Sequence, residues 1–258
     1  MIKALLITLL TATLAHAQGY DARTADYVRA WRIGAGNQID PIWNGLVAYW
    51  SMDSRSTNDV TVFDTWGSND GTAFESPLFG SDYGKRIDGV RLNGSNQYID
   101  TGNPFSQSNT TVSLWVRTSN WNQGTRAIAS ISSNPVQDSQ FGLLMHAGSS
   151  RLDYIVGGAF IQLAYSAIGF ATDRFYHFTF TAASGDKVRL YIDGEEVNSA
   201  NIGTITPNNT QNVWIGRYRR FTQYFSGDID EVAIWNRVLS TDEITGLHNN
   251  GAGRFFTP

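Results

Sequence analysis

The chain has 258 residues, of which 41% are hydrophobic and 13% aromatic, with 25 glycines, a charged fraction of 16% and a formal net charge of -4. This composition fits a single large β domain of short strands and tight turns, and it excludes disorder and coiled coils. No broad basic field exists for nucleic acid or an anionic membrane, and the absence of cysteine excludes disulfides.

The first residues carry the three parts of a secretory signal: Lys3, an apolar run from Ala4 to Leu14, and Ala15-His16-Ala17 as a small-x-small cleavage site. Residues 1–17 are therefore expected to be a signal peptide and the mature chain to begin at Gln18. The expected location is secreted, extracellular or at the cell surface, with the periplasm and a virus particle as alternatives. That run is too short to cross a bilayer, and no later segment approaches ~20 apolar residues, so no membrane span is expected. Residues 18–44 form an N-terminal arm, with a short helix expected from Ala25 to Arg32 and Gly34-Ala35-Gly36-Asn37 ending it. The arm is either a strap on the body or an attachment to a larger particle.

From residue 45 to 258 the pattern is one body of strands and turns. Val112, Leu114 and Val116 alternate with Ser113 and Trp115, which predicts a strand at 110–117. Tyr176, Phe178 and Phe180 alternate with His177, Thr179 and Thr181 in the same way. Asp193-Gly194 lies between two strand patterns and signals a two-residue hairpin turn of positive φ. In the closing segment Asp228, Asp230, Val232 and Ile234 are expected on one face, and Ile229, Glu231, Ala233 and Trp235 on the other. A helix follows at once. Ser240 and Glu243 make a capping box, Leu239 can staple onto Ile244, and Gly251 is the expected stop. About a dozen strands and one C-terminal helix predict an all-β fold of two packed antiparallel sheets.

Several blocks carry a family resemblance in order along the chain. They are Leu46-Val47-Ala48-Tyr49-Trp50-Ser51-Met52-Asp53, Asn69-Asp70-Gly71-Thr72, Val90 to Ile99, Thr111 to Val116, Phe175-Tyr176-His177 with Leu190 to Gly194, and Gly227 to Ile244. Together they resemble a laminin-G-like jelly-roll domain of the concanavalin A-like lectin/glucanase superfamily, over roughly residues 45 to 252. The resemblance implies a concanavalin A-like β-sandwich. It also implies a structural calcium ion between the start of the sandwich and its last strand, at the matching positions Asp53, Asn69, Asp70 and Asp230. Calcium takes six to eight oxygens from carboxylates, amides and carbonyls, which this set with backbone and water can offer. The alternative is that Asp53 and Asp70 make turn hydrogen bonds while Asp230 accepts from backbone amides of a neighbouring loop.

Glucanases of the wider superfamily carry paired acids on one strand face, ~5 Å apart, for retaining hydrolysis. Asp228 and Asp230 share a face, but Val232 stands where the third acid of that pattern is expected, so no catalytic residue is assigned. His177 falls where the family has a core-strand histidine, and no zinc spacing or nucleophile elbow is present. Two segments suit sugar recognition, which combines a flat aromatic ring with groups that bond hydroxyls. One is Trp121 with Asn122 in a polar loop. The other is Arg217-Tyr218-Arg219-Arg220 with Tyr224, whose arginines suit an acidic glycan or another subunit.

The resulting expectation is an exported, non-enzymatic, lectin-like domain that binds a glycan or glycoconjugate and holds structural calcium. The alternative is a structural or adhesion protein that assembles with other protein subunits at a cell surface or in a virion. A glycoside hydrolase ranks below both.

Overall fold

The structure is a computed structural model that describes residues 40–256 apart from 54, 56–57, 104, 106, 122–125, 132–140, 147–150, 157–158, 165–168, 208–211 and 219–222. The expected signal peptide and most of the N-terminal arm, including its helix, lie outside the described residues.

Two antiparallel sheets make the body. The eight-stranded sheet has the order β14-β13-β12-β7-β18-β5-β4, with β1 also paired to β18. Its strands are β1 (Leu46–Trp50), β4 (Leu78–Gly80), β5 (Gly89–Asn93), β7 (Asn109–Arg117), β12 (Tyr176–Ala183), β13 (Lys187–Ile192), β14 (Glu195–Asn201) and β18 (Ser226–Trp235). The ten-stranded sheet has the order β11-β10-β9-β8-β15-β6-β3-β2, extended by the small pair β16 and β17. It contains β2 (Thr61–Val62), β3 (Gly71–Phe74), β6 (Tyr98–Asp100), β8 (Arg126–Ile131), β9 (Phe141–His146), β10 (Arg151–Val156), β11 (Ala159–Ala164), β15 (Val213–Ile215), β16 (Arg217–Tyr218) and β17 (Gln223–Tyr224).

Period-two patterning sets the main core between the sheets. Val112, Leu114 and Val116 of β7 and Tyr176, Phe178 and Phe180 of β12 all enter it, together with Val90, Leu92, Ile99, Val213 and Ile215. The Asp193-Gly194 turn has φ of 53° and 84°, the positive pair that the hairpin joining β13 to β14 requires.

The closing strand β18 departs from simple alternation. Asp230 pairs with Trp115 and Ala233 with Ser113, so β18 carries one more residue than β7 between these two pairs. This is a β-bulge, with Glu231 at a φ of 54°. The extra residue shifts the phase by one, which corrects the expected faces. Asp230, Ala233 and Trp235 point outward, and Ile229, Val232 and Ile234 enter the main core.

A second apolar layer covers the outward face of the eight-stranded sheet. It contains Ile42, Trp43, Leu46, Tyr49, Trp66, Tyr191, Ala233, Trp235, Leu239, Ile244 and Leu247. Helix α1 (Thr241–His248) begins with the full capping box of Ser240 and Glu243, and ends on Asn249 in the left-handed region, two residues before the expected Gly251. Trp43 stacks on Trp235 at 6.1 Å, and the Trp235 indole donates to Ile42 O at 2.9 Å. Residues 40–44 therefore pack on the sandwich as a strap.

Two buried rings decide between structural and ligand roles. Trp121 is only 7% exposed and belongs to the main core. It stacks on Phe170 at 4.5 Å and its indole donates to Ala171 O at 3.0 Å. This corrects the expectation of a ligand-binding ring in a polar loop: its contacts come from residues distant in sequence. His177 is buried, 2.7 Å from the Ser113 hydroxyl through Nε2, and packs on Trp115.

Trp121→Ala is expected to lower stability by roughly 3–5 kcal/mol in a denaturant titration, the cost of a large core cavity. Unchanged stability would contradict its placement. Burial lowers the His177 imidazole to about 3, and the neighbouring His248 and Lys85 add to this. Below about pH 6.5 the unfolded imidazole takes up a proton that the folded one refuses. Stability from this group is thus lost as pH falls from 6.5 towards 3, by roughly 3 kcal/mol between pH 7 and pH 4. The loss should be smaller in His177→Gln, measured as the difference between the two proteins at each pH.

Candidate functional site

The residues that the family resemblance singles out are spread over both sheets: Asp53 follows β1, Asn69 and Asp70 precede β3, and Asp230 lies on β18. Asp53 Oδ1 accepts from Asp88 N at 2.8 Å. Asp70 Oδ1 accepts from Asp64 N at 2.9 Å, and Asn69 donates to Val47 O and to Asp64 Oδ2. Asp230 Oδ2 accepts from Lys85 N and Arg86 N at 2.7 and 3.1 Å, while its Oδ1 accepts from Glu231 N. Among the described residues no three Asp, Glu or His side chains converge as a metal-holding group. As placed, Asp53 Oδ1 and both oxygens of Asp230 are taken up by backbone amides, and the donor set does not make a calcium cage.

Burial, then the charge of Glu231, holds the Asp230 carboxyl well above its usual range; amides of Arg86 and Lys85 oppose this. Burial also pushes Glu231 up to about 8, against the hydrogen bond that the Tyr49 hydroxyl donates to it. Glu231 Oε1 is buried with no hydrogen-bond partner among the described residues. Asp228, 2% exposed, is clamped by two guanidinium groups. Arg91 reaches both of its oxygens at 2.6 and 2.9 Å, and Arg117 Nε reaches Oδ2 at 2.7 Å. A carboxylate whose oxygens are all engaged by guanidinium donors has no lone pair aimed at a substrate.

Sequence reasoning did not find Phe74, Tyr98 and Trp214, which gather with Arg217 on the outward face of the second sheet. Phe74 on β3 pairs with Tyr98 on β6, and Asp100 on β6 pairs with Trp214 on β15. Their neighbours Ala73, Ile99, Val213 and Ile215 are buried in the core, so period two puts the rings outward. Gly216 then turns the chain with a φ of 82°, and a Cβ there would lie 2.0 Å from Leu92 Cδ1. Only glycine allows this approach, and it delivers Arg217, paired with Tyr224, over the rings.

The result is a ladder of alternating π systems. Phe74 and Tyr98 are parallel, with centroids 4.6 Å apart and an interplanar angle of 4°. The Arg217 guanidinium lies 4.6 Å from the Tyr98 centroid, 4.6 Å from that of Trp214 and 5.4 Å from that of Tyr224. Trp214 meets Tyr98 edge-on at 6.0 Å. Burial raises the Tyr98 phenol, and the adjacent Arg217 charge counters it.

Of the residues expected to bind ligand, the structure thus brings Arg217 and Tyr224 together in this ladder. Tyr218 is buried, at 5% exposed, and Trp121 lies in the core. Asn122, Arg219 and Arg220 lie outside the described residues. The signal for Phe74, Tyr98 and Trp214 is an aromatic ring at the outward position of a short alternating strand.

Solved structures with this architecture include a mutant Trypanosoma rangeli sialidase displaying trans-sialidase activity, with a TM-score of 0.61, 17% identity and 82% of this chain covered. Domain 4 of AbnA, an extracellular arabinanase from Geobacillus stearothermophilus solved with arabinotriose, has a TM-score of 0.59 and 20% identity over 78% of this chain. The binding domain of Paraclostridial Mosquitocidal Protein 1 has a TM-score of 0.60 and 18% identity over 81% of this chain. The match spans 34% of the sialidase, 53% of the mosquitocidal binding domain and 97% of the arabinanase domain. At these identities the likeness is one of fold. A comparison with curated proteins gave no match. The family profile of the concanavalin A-like lectin/glucanases superfamily matches residues 93–245, more than half of the sequence, and the chain belongs to that superfamily.

Proposed function

We propose that this chain is an exported, non-enzymatic carbohydrate-binding module whose ligand lies on the outward face of the second sheet. The observation that carries the reading is the ladder of Phe74, Tyr98, Arg217 and Trp214, whose Phe74 ring is exposed and whose other members are half-buried on the outward face of the sheet. Rings of this kind stack on the apolar C–H faces of sugars, while nearby polar groups take the hydroxyls. The arabinanase domain, matched over 97% of its length, was solved with arabinotriose, which supports a saccharide ligand. The clamped Asp228 and the amide-bound Asp230 support a non-enzymatic role, since neither is free for acid–base work. Export rests on the signal pattern at the N-terminus.

The second reading, assembly into a surface structure, is favoured by apolar side chains exposed at one edge of the first sheet. Leu78 on the terminal strand β4 is 56% exposed and Ile87, in the loop after it, is 62% exposed.

A glycan array probed with the secreted chain is expected to give a restricted set of binders, and Trp214→Ala is expected to weaken them by about tenfold. Silence across a broad array, together with a defined symmetric oligomer in solution, would replace this reading with assembly. Sugar release that is lost in Asp228→Asn would replace it with hydrolysis.

A further inference from the structure

The two ends of the aromatic ladder differ, and the difference bears on which sugars it can take. Strand β6 lies between β3 and β15. Phe74 therefore covers Tyr98 from one side and Arg217 covers it from the other. Neither face of Tyr98 is left for a sugar. Phe74 has one face on Tyr98, and among the described residues its other face meets no ring or cation. The ring is 38% exposed, and with Val60, Leu78 and Ile87 it is one of the large apolar side chains exposed among the described residues.

The chain beside Phe74 is built to hold polar groups at its edge. Glu75 and Ser76 both take positive φ, 61° and 53°, in the turn that leaves β3. Gln97 fixes this turn by donating to Glu75 O and Ser76 O at 3.0 and 2.8 Å. The loop that carries Gln97 is itself organised by Asn93, whose Oδ1 accepts from the amides of Ser95, Asn96 and Gln97. The Glu75 carboxylate and the Asn96 amide are brought 3.5 Å apart, both exposed. At that length their hydrogen bond is weak; Asn93 Nδ2 holds Asn96 Oδ1 at 2.9 Å, which leaves the Asn96 Nδ2 donor and the Glu75 carboxylate to meet a ligand.

We propose that the Phe74 end of the ladder is a subsite for a neutral sugar with adjacent hydroxyls. Phe74 stacks on the sugar ring, and Glu75 and Asn96 bond two neighbouring hydroxyls. This assignment rests on the carbohydrate-binding reading and narrows it. A carboxylate can accept from a hydroxyl but repels a carboxylated sugar at the same distance. The one cation of the ladder, Arg217, is on the far side of Tyr98 with its faces against rings. Uronic and sialic acids are thus disfavoured at this end of the ladder. Tyr98 and Arg217 are positioning residues that hold the Phe74 ring upright.

The test uses the full chain and calorimetric titration with two sets of probes. The neutral set is arabino-, xylo-, manno- and gluco-oligosaccharides; the acidic set is oligogalacturonides and sialyllactose. The expected result is binding within the neutral set, weakened about tenfold or more by Phe74→Ala. Glu75→Gln should weaken the same binder about threefold or more with an unchanged Tm, and it carries the test if Phe74→Ala folds poorly. Neutral binding that survives both substitutions but is lost in Trp214→Ala would overturn the subsite while leaving the carbohydrate-binding reading intact. Tighter binding of the acidic set would also overturn it. No binding of any probe by the parent protein, confirmed on a broad array, would overturn both.

Discussion

One inserted residue in the closing strand fixes the orientation of much of the first sheet. Between its pairings with Trp115 and Ser113, β18 holds one residue more than β7 does. Because side chains alternate with a period of two, that insertion decides which side of the sheet each later residue faces. It turns Val232 and Ile234 into the main core and leaves Trp235 on the outer surface, where Trp43 stacks on it. The left-handed φ of Glu231 and the burial of two adjacent acids oppose this arrangement. The Tyr49 hydroxyl and the amides of Lys85 and Arg86 offset it by hydrogen bonding. The acids at the closure are in this way part of the framework.

A functional consequence follows from the same geometry. The outer face of the first sheet is occupied by α1, by the turn at 41–43 and by Phe256, whose ring packs on Trp43, Tyr49 and Trp66. On the carbohydrate-binding reading proposed above, recognition falls to the outer face of the second sheet. There the aromatic rings stand on β3, β6 and β15, ordered by strand pairing and locked by Arg217. Rigid presentation of this kind lowers the entropy cost of binding, because the rings are already in place.

Local patterns made much of the fold legible. The alternation in β7 and β12, the Asp193-Gly194 turn and the Ser240–Glu243 capping box are short-range signals, and each matches the structure. The bulge was not legible, because one extra residue leaves no mark on composition or spacing. Trp121 misled because a polar flank says nothing about Phe170 and Tyr176, which fold over it from later in the chain. The ladder was hidden for a related reason: its members are scattered from residue 74 to residue 224 and meet only through strand pairing. Arg217 and Tyr224 were visible as part of an arginine- and aromatic-rich segment. Their role was not, since the rings that Arg217 touches on β6 and β15 lie outside that segment's pattern.

The central claim is that the outer face of the second sheet is the recognition surface. It is tested most directly by nuclear magnetic resonance mapping of the labelled chain with an array-selected glycan. The account predicts shift changes centred on Phe74, Tyr98, Trp214 and the 93–97 loop, with those of α1 and the 84–88 loop unchanged. Changes centred instead on Asp228, Asp230 and the loops around them, with the ladder silent, would contradict it.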